Sequence, residues 1–94
     1  MHGRLSTYEG QADELSKGFA AQTDVLEQLD GLRAAYFGVS ESGKAFSLTL
    51  WDTEEALNAS AERTKQMRAD ATDPSGAEIK SVEHFEITTT AGAA

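Results

Sequence analysis

The stretch Lys44-Ala45-Phe46-Ser47-Leu48-Thr49-Leu50-Trp51-Asp52 decides how the rest of the chain is read. Phe46, Leu48 and Leu50 alternate with Ala45, Ser47, Thr49 and Trp51, the period of two that marks a strand with one strongly apolar face. The other face is made of small residues and ends in the only Trp of the chain, so it also calls for cover. Asp52 stops the strand and suits a helix N-cap, with Glu55 at the spacing that completes a capping box. On this pattern Phe46, Leu48 and Leu50 are expected under the chain's own helices. The series from Ala45 to Trp51 is expected to face outward, against a second copy of the chain.

Upstream, residues 3–8 read as a short strand, with Leu5 and Thr7 on one face and Arg4, Ser6 and Tyr8 on the other. From Gln11 the period changes: Leu15, Phe19, Gln22, Leu26 and Leu29 fall at helical spacing up to the stop at Asp30-Gly31. Gly18 weakens that helix by roughly 1 kcal/mol relative to Ala, a cost that close packing against the sheet would explain. Residues 33–40 form a second strand, Ala35, Phe37 and Val39 alternating with Ala34, Tyr36 and Gly38. The turn Glu41-Ser42-Gly43-Lys44 then joins it in a hairpin to the Trp51 strand.

Downstream, residues 53–71 carry a stripe of small residues, Ala56, Leu57, Ser60, Ala61, Thr64, Met67 and Ala71, on a helix whose wet side includes Arg68. Asp73-Pro74-Ser75-Gly76 is a loop, and residues 77–89 are a last strand. Its alternation slips between Ile79 and Phe85, which calls for a bulge near residues 81–83 or burial on both faces. Residues 1–90 thus form one domain and 91–94 a flexible tail. The order strand, helix, strand, strand, helix, strand is the ferredoxin-like α+β pattern: a four-stranded antiparallel sheet with two helices on one face. Tyr8, Tyr36 and Trp51 are expected together on the open face, an aromatic surface that fits an interface or ligand cleft.

Composition narrows the function. Sixteen acidic residues against eight basic ones give a formal net charge of −8, which repels phosphate backbones and speaks against nucleic-acid binding. With no Cys there are no disulfides, thiolate metal sites or Cys nucleophile, in keeping with a reducing compartment. No apolar run approaches the ~20 residues of a membrane span, and the N-terminus lacks a signal-peptide core. The expectation is a cytoplasmic protein without a membrane or nucleic-acid partner. The two His and the scattered carboxylates make no metal-ligand spacing, and no phosphate loop or Ser-His-Asp set is present.

The opening Arg4-Leu-Ser-Thr-Tyr-Glu-Gly10, the hairpin Gly38 to Trp51, the following Asp-Thr-Glu-Glu-Ala-Leu57 and the closing Ser81-Val-Glu-His-Phe-Glu-Ile87 together resemble the antibiotic-biosynthesis-monooxygenase-like dimeric α+β barrel family, over Arg4 to Thr88. The resemblance implies a homodimer whose two sheets form a barrel, with one pocket per subunit. It implies, among several activities of that family, oxygenation of polycyclic aromatic substrates without metal or flavin. Haem-degrading relatives combine a pocket Asn on the first strand, a Trp ending the third and a His on the second helix. Trp51 matches the Trp, but Ser6 and Thr7 stand where the Asn would be and residues 53–71 contain no His, which disfavours haem degradation.

Cofactor-free oxygenation needs a substrate that forms a stabilised carbanion, a group to help generate it and a dry pocket. Trp51 and Tyr36 are candidate pocket walls, and Arg33, Tyr8 and His84 candidate partners for a phenolate or enolate oxygen. Trp51, His84 and Tyr36 are the candidate catalytic residues. Each has a structural reading beside it: Trp51 packed in a dimer core, His84 at a surface or interface. His2 sits near the terminus, and Asn58 is expected to face water. A module that only binds a small apolar or aromatic ligand, or only assembles, is the alternative. Muconolactone-type isomerisation is a third reading, resting on fold analogy alone.

Overall fold

The computed structural model describes residues 1–92, so Ala93 and Ala94 of the expected tail lie outside the described residues. The element order is β1 (His2–Glu9), α1 (Ala12–Ala20), α2 (Thr23–Glu27), β2 (Leu32–Val39), β3 (Lys44–Trp51), α3 (Glu54–Ala59), α4 (Ala61–Thr72), a 3-10 turn (Asp73–Ser75) and β4 (Glu78–Glu86). The strands form one antiparallel sheet in the order β2-β3-β1-β4, with the helices on one face. This is the ferredoxin-like α+β architecture.

Each of the two long helices expected from the sequence is divided in two. In the second, the Ser60 hydroxyl donates back to the Leu57 carbonyl (2.8 Å) and the Thr64 hydroxyl to the Ser60 carbonyl (3.0 Å), the kind of side-chain competition that bends a helix. In the first, the Gln22 N–H tightens onto the Phe19 carbonyl at 3.0 Å and α2 restarts one residue later. The cap of α3 is Thr53, whose hydroxyl accepts the Ala56 N–H at 3.0 Å. Asp52 instead pairs with Arg33 at 3.2 Å, so the capping box centred on Asp52 does not form. Gly18 serves α4 rather than the sheet: a Cβ there would collide with the Ala71 carbonyl oxygen.

The β2–β3 hairpin fixes which side chains meet the helices. The Ser40 N–H closes on the Lys44 carbonyl (2.8 Å) over the loop Glu41-Ser42-Gly43, with Gly43 at φ 85°, the left-handed position such a loop needs. The resulting register sets Phe37 opposite Ser47 and Tyr36 opposite Leu48, while β1 sets Ser6 opposite Ser47 and Tyr8 opposite Ala45. Directly paired residues share a face. Arg4, Ser6, Tyr8, Phe37, Ala45, Ser47, Thr49 and Trp51 therefore lie under the helices, whereas Leu5, Tyr36, Phe46, Leu48 and Leu50 line the uncovered face.

This reverses the faces expected for β1 and β3. Trp51 is 0 % and Tyr8 2 % exposed, whereas Tyr36, the one aromatic of the three on the uncovered face, is 55 % exposed. The physical reason is complementarity of size. Small residues at 45, 47 and 49 leave room above the sheet, and the Tyr8 ring fills it against Phe19 of α1 (5.1 Å between centroids), which stacks on Phe37 at 5.0 Å. A ridge of Phe46, Leu48 and Leu50 would hold the helices too far off. On β4 the register skips between Thr7–Ser81 and Tyr8–Ile79, so the extra residue is Lys80 rather than one of 81–83. As an edge strand β4 lies beyond the helices. Ile79, Val82 and Phe85 are exposed, and the strand is not buried on both faces.

Candidate functional site

The space left between the small residues of β3 and the helices is not completely filled. A cavity with ≈ 40 Å³ of room for water-sized molecules lies there, walled by Tyr8, Phe19, Leu26, Phe37, Met67 and Ala71 on its apolar side. Its polar lining comes from Arg4, Ser6, Ser47, Thr49 and Thr64, with Gln22 and Arg68. Gln22 and Arg68 are half-buried and form the rim, whereas Arg4, Ser6 and Tyr8 form the floor.

Arg4 is 3 % exposed, so most of its donors must be met inside the protein. Its Nε–H donates to His84 Nε2 at 3.2 Å, and its terminal nitrogens donate to the Thr64 hydroxyl (2.7 Å), the Ser60 hydroxyl (3.4 Å) and the Leu57 carbonyl (2.8 Å). Every partner is neutral. Burial, and then the nearby Arg68, bring the Arg4 guanidinium down to about 10, so at neutral pH the charge remains. Burial also lowers Arg68, a shift that Tyr8 opposes. The Arg68 guanidinium makes no hydrogen bond or ion pair among the described residues. The Tyr8 hydroxyl, 2.7 Å from the Ser47 hydroxyl, is raised by burial and stays a neutral O–H. His84 is held below its ordinary value by burial and then by Arg4 and Arg68; accepting from Arg4 at Nε2, it carries its proton on Nδ1.

The structure separates the site residues expected from the sequence. Tyr8 lines the cavity. Trp51 is one hydrogen bond away, its Nε1–H donating to the Thr49 hydroxyl at 3.0 Å. His84 sits on the exposed edge strand and touches the cavity only through Arg4. Arg33 is exposed and tied to Asp52, and Tyr36 points away on the other side of the sheet. His2, half-buried, pairs with Trp51 across β1 and β3, and Asn58 is exposed. Sequence reasoning missed Arg4, Ser6, Ser47, Thr64 and Arg68. The available signal was that Arg4, Ser6 and Tyr8 share one face of β1; had the register been known, an Arg on a buried face would have stood out. Among the described residues no group of three or more His, Asp or Glu comes together as a metal site. No helix among them is long and apolar enough to cross a membrane.

No family model matches the sequence, and no curated protein matches it. Solved structures do match along the whole chain. SnoaB, a cofactor-independent oxygenase from Streptomyces nogalater, aligns as a point mutant with a TM-score of 0.75 at 10 % identity, covering 98 % of this chain and 97 % of its own. A protein of Deinococcus radiodurans assigned as an antibiotic biosynthesis monooxygenase aligns with a TM-score of 0.70 at 15 % identity, covering 100 % and 99 %. A mutant of MhuD with two manganese protoporphyrin IX molecules per active site aligns with a TM-score of 0.68 at 23 % identity, covering 99 % and 100 %. The chain thus has the fold of the antibiotic-biosynthesis-monooxygenase-like α+β barrel proteins.

Proposed function

We propose that this chain forms a homodimeric α+β barrel and uses the cavity between sheet and helices to oxygenate a small aromatic or polyketide-like substrate with dioxygen, without a resident metal or flavin. The observation that carries this reading is the lining: the rings of Tyr8, Phe19 and Phe37 over a polar floor of hydroxyls and a guanidinium, between the sheet and the helices. Such a site suits a flat ring bearing an acidic hydroxyl or an activated CH₂. With a hydroxyanthrone the CH₂ carbon loses a proton, the resulting carbanion is oxidised by dioxygen, and the carbon becomes a carbonyl. One oxygen atom is retained and the other leaves as water. The fold shared with SnoaB supports this choice among chemistries.

In this reading the Tyr8 and Ser47 hydroxyls meet the substrate oxygen. Trp51 positions Thr49, and His84 positions Arg4. The present room of ≈ 40 Å³ is smaller than a ring requires, since an enclosed space of about 150 Å³ accommodates benzene. Entry therefore depends on movement of the flexible Met67 and Gln22 side chains. With a hydroxyanthrone the expected result is consumption of dioxygen in equal amount to substrate, anthraquinone as product, and a rate at least roughly tenfold lower in Tyr8→Phe. A rate no higher than that of buffer alone defeats the oxygenase reading.

One observation favours the binding-only alternative. The cavity lining contains no carboxylate and no imidazole to take the proton, because His84 lies outside it. Saturable binding of the hydroxyanthrone without oxygen consumption is the result that would establish that alternative.

A further inference from the structure

We propose that the cavity receives its ligand as a small organic monoanion, whose charged oxygen is set against Arg68 at the rim over the fixed positive charge of Arg4. The inference rests on the reading of this cavity as a small-molecule site and specifies the charge of what enters it. Its first support is a census. The cavity is lined by two guanidiniums and no carboxylate, in a chain that has twice as many acidic as basic residues. Acids are plentiful on the surface and absent from this lining.

The two arginines differ in what they can offer. Arg4 is occupied: its donors hold the junction of α3 and α4, and only one N–H of its five remains without a protein partner. Its charge is met by hydroxyls, an imidazole and a carbonyl, which leave the positive field in place. Arg68 is free. A guanidinium at a helix surface ordinarily reaches out to water or to an acid within a turn or so. Here it is half-buried in the cavity wall, close enough to Arg4 and Tyr8 to perturb them, and has no acidic partner among the described residues. An anionic oxygen at the rim would give Arg68 charge-assisted hydrogen bonds and relieve the repulsion between the two cations. The net charge of −8 and the small volume set the upper limit: a polyphosphate or nucleic acid would be repelled before it arrived, whereas a monoanion is drawn by a field confined to the cleft.

The test is calorimetric titration of the protein with 2-naphthoate and its neutral isostere 2-naphthamide near neutral pH and low salt. Naphthoate is expected to bind at least about tenfold more tightly. Arg68→Met should remove most of that difference by weakening naphthoate alone, Arg68→Lys should restore part of it, and added salt should weaken naphthoate selectively. Arg33→Met, which alters an exposed arginine outside the cavity lining and paired with Asp52, should change neither affinity. Equal binding of the two probes, or Arg68→Met without effect, overturns the monoanion inference and leaves the cavity reading intact. Equal losses in Arg33→Met and Arg68→Met also overturn it, since they would mean attraction to the general surface. Binding of neither probe defeats the cavity reading, and the inference with it.

Discussion

Arg4 gives donors to His84, Thr64, Ser60 and the Leu57 carbonyl, so one side chain ties β1 to β4 and to the bend between α3 and α4. The Leu57 carbonyl belongs to the last turn of α3, where the helix presents its partial negative end. Arg4→Met keeps the apolar stem and removes those bonds. It should lower stability in urea by about 2 kcal/mol, allowing for the Ser60 hydroxyl that already satisfies Leu57. His84 adds a pH dependence with a definite sign. Its folded value lies below the 6.5 of an ordinary histidine because burial, Arg4 and Arg68 all disfavour the imidazolium. Between those values the unfolded chain binds more protons, so the stability from the Arg4–His84 bond is complete above 6.5 and is lost as pH falls through the folded value. His84→Gln retains an acceptor that does not titrate. Urea unfolding at about pH 7.5 and about pH 5.5 should show the wild type losing more stability than His84→Gln; equal losses would mean the imidazole is not coupled to Arg4.

Between elements, α1 approaches the backbone of α4 closely at Gly18. Ala is the better helix former by roughly 1 kcal/mol, yet its Cβ would meet the Ala71 backbone rather than a movable side chain. Gly18→Ala should therefore destabilise the protein, by about 1 to 3 kcal/mol in denaturant titrations. The same approach shows what could be read from the sequence. Periodicity located every strand and both helical regions, because amphipathic spacing is a local property of the chain. It also singled out Gly18 as a residue kept for close packing, though not its partner. Which way β1 and β3 face is not local. A strand with substance on both faces looks the same whichever side is turned inward, and a shift of one residue in register exchanges them. Tyr36 was placed on the correct face while Tyr8 and Trp51 were not, because the pairing of Tyr36 with Leu48 is visible only once the hairpin closes at Gly43. The cavity was hidden for the same reason: Arg68 read as part of a wet helix face and Arg4 as part of the outward face of β1 until the fold brought both to one cavity.

For the molecule as a whole, the outward face of the sheet carries the consequence of that reversal. Leu5, Leu48 and Leu50 are half-buried, and Tyr36, Phe46 and Phe85 are exposed, in one continuous apolar surface with β4 uncovered beside it. A domain of 94 residues has a small core to set against chain entropy, and leaving this face in water would forfeit much of what it can bury. The dimer we propose is therefore held by the greasier face of the hairpin, and each subunit keeps its cavity on the far side, under its own helices. A depression of ≈ 510 Å³ bounded in part by Thr7, Gly38 and Phe46 opens on the dimer side and would be covered by the partner. Leu48, at the centre of this face and paired with Leu5 and Tyr36, is the position to test. The wild type should sediment as a dimer at micromolar concentration, with a melting temperature that rises with protein concentration. Leu48→Glu should sediment as a monomer and melt lower, with no concentration dependence. A change on the helix side would act differently: Ser47→Ala, which removes the hydroxyl bonded to Tyr8, should alter the cavity and leave the sedimentation of the dimer unchanged. A wild type that is monomeric throughout this range would mean that the apolar sheet face is tolerated in water and that the barrel does not form.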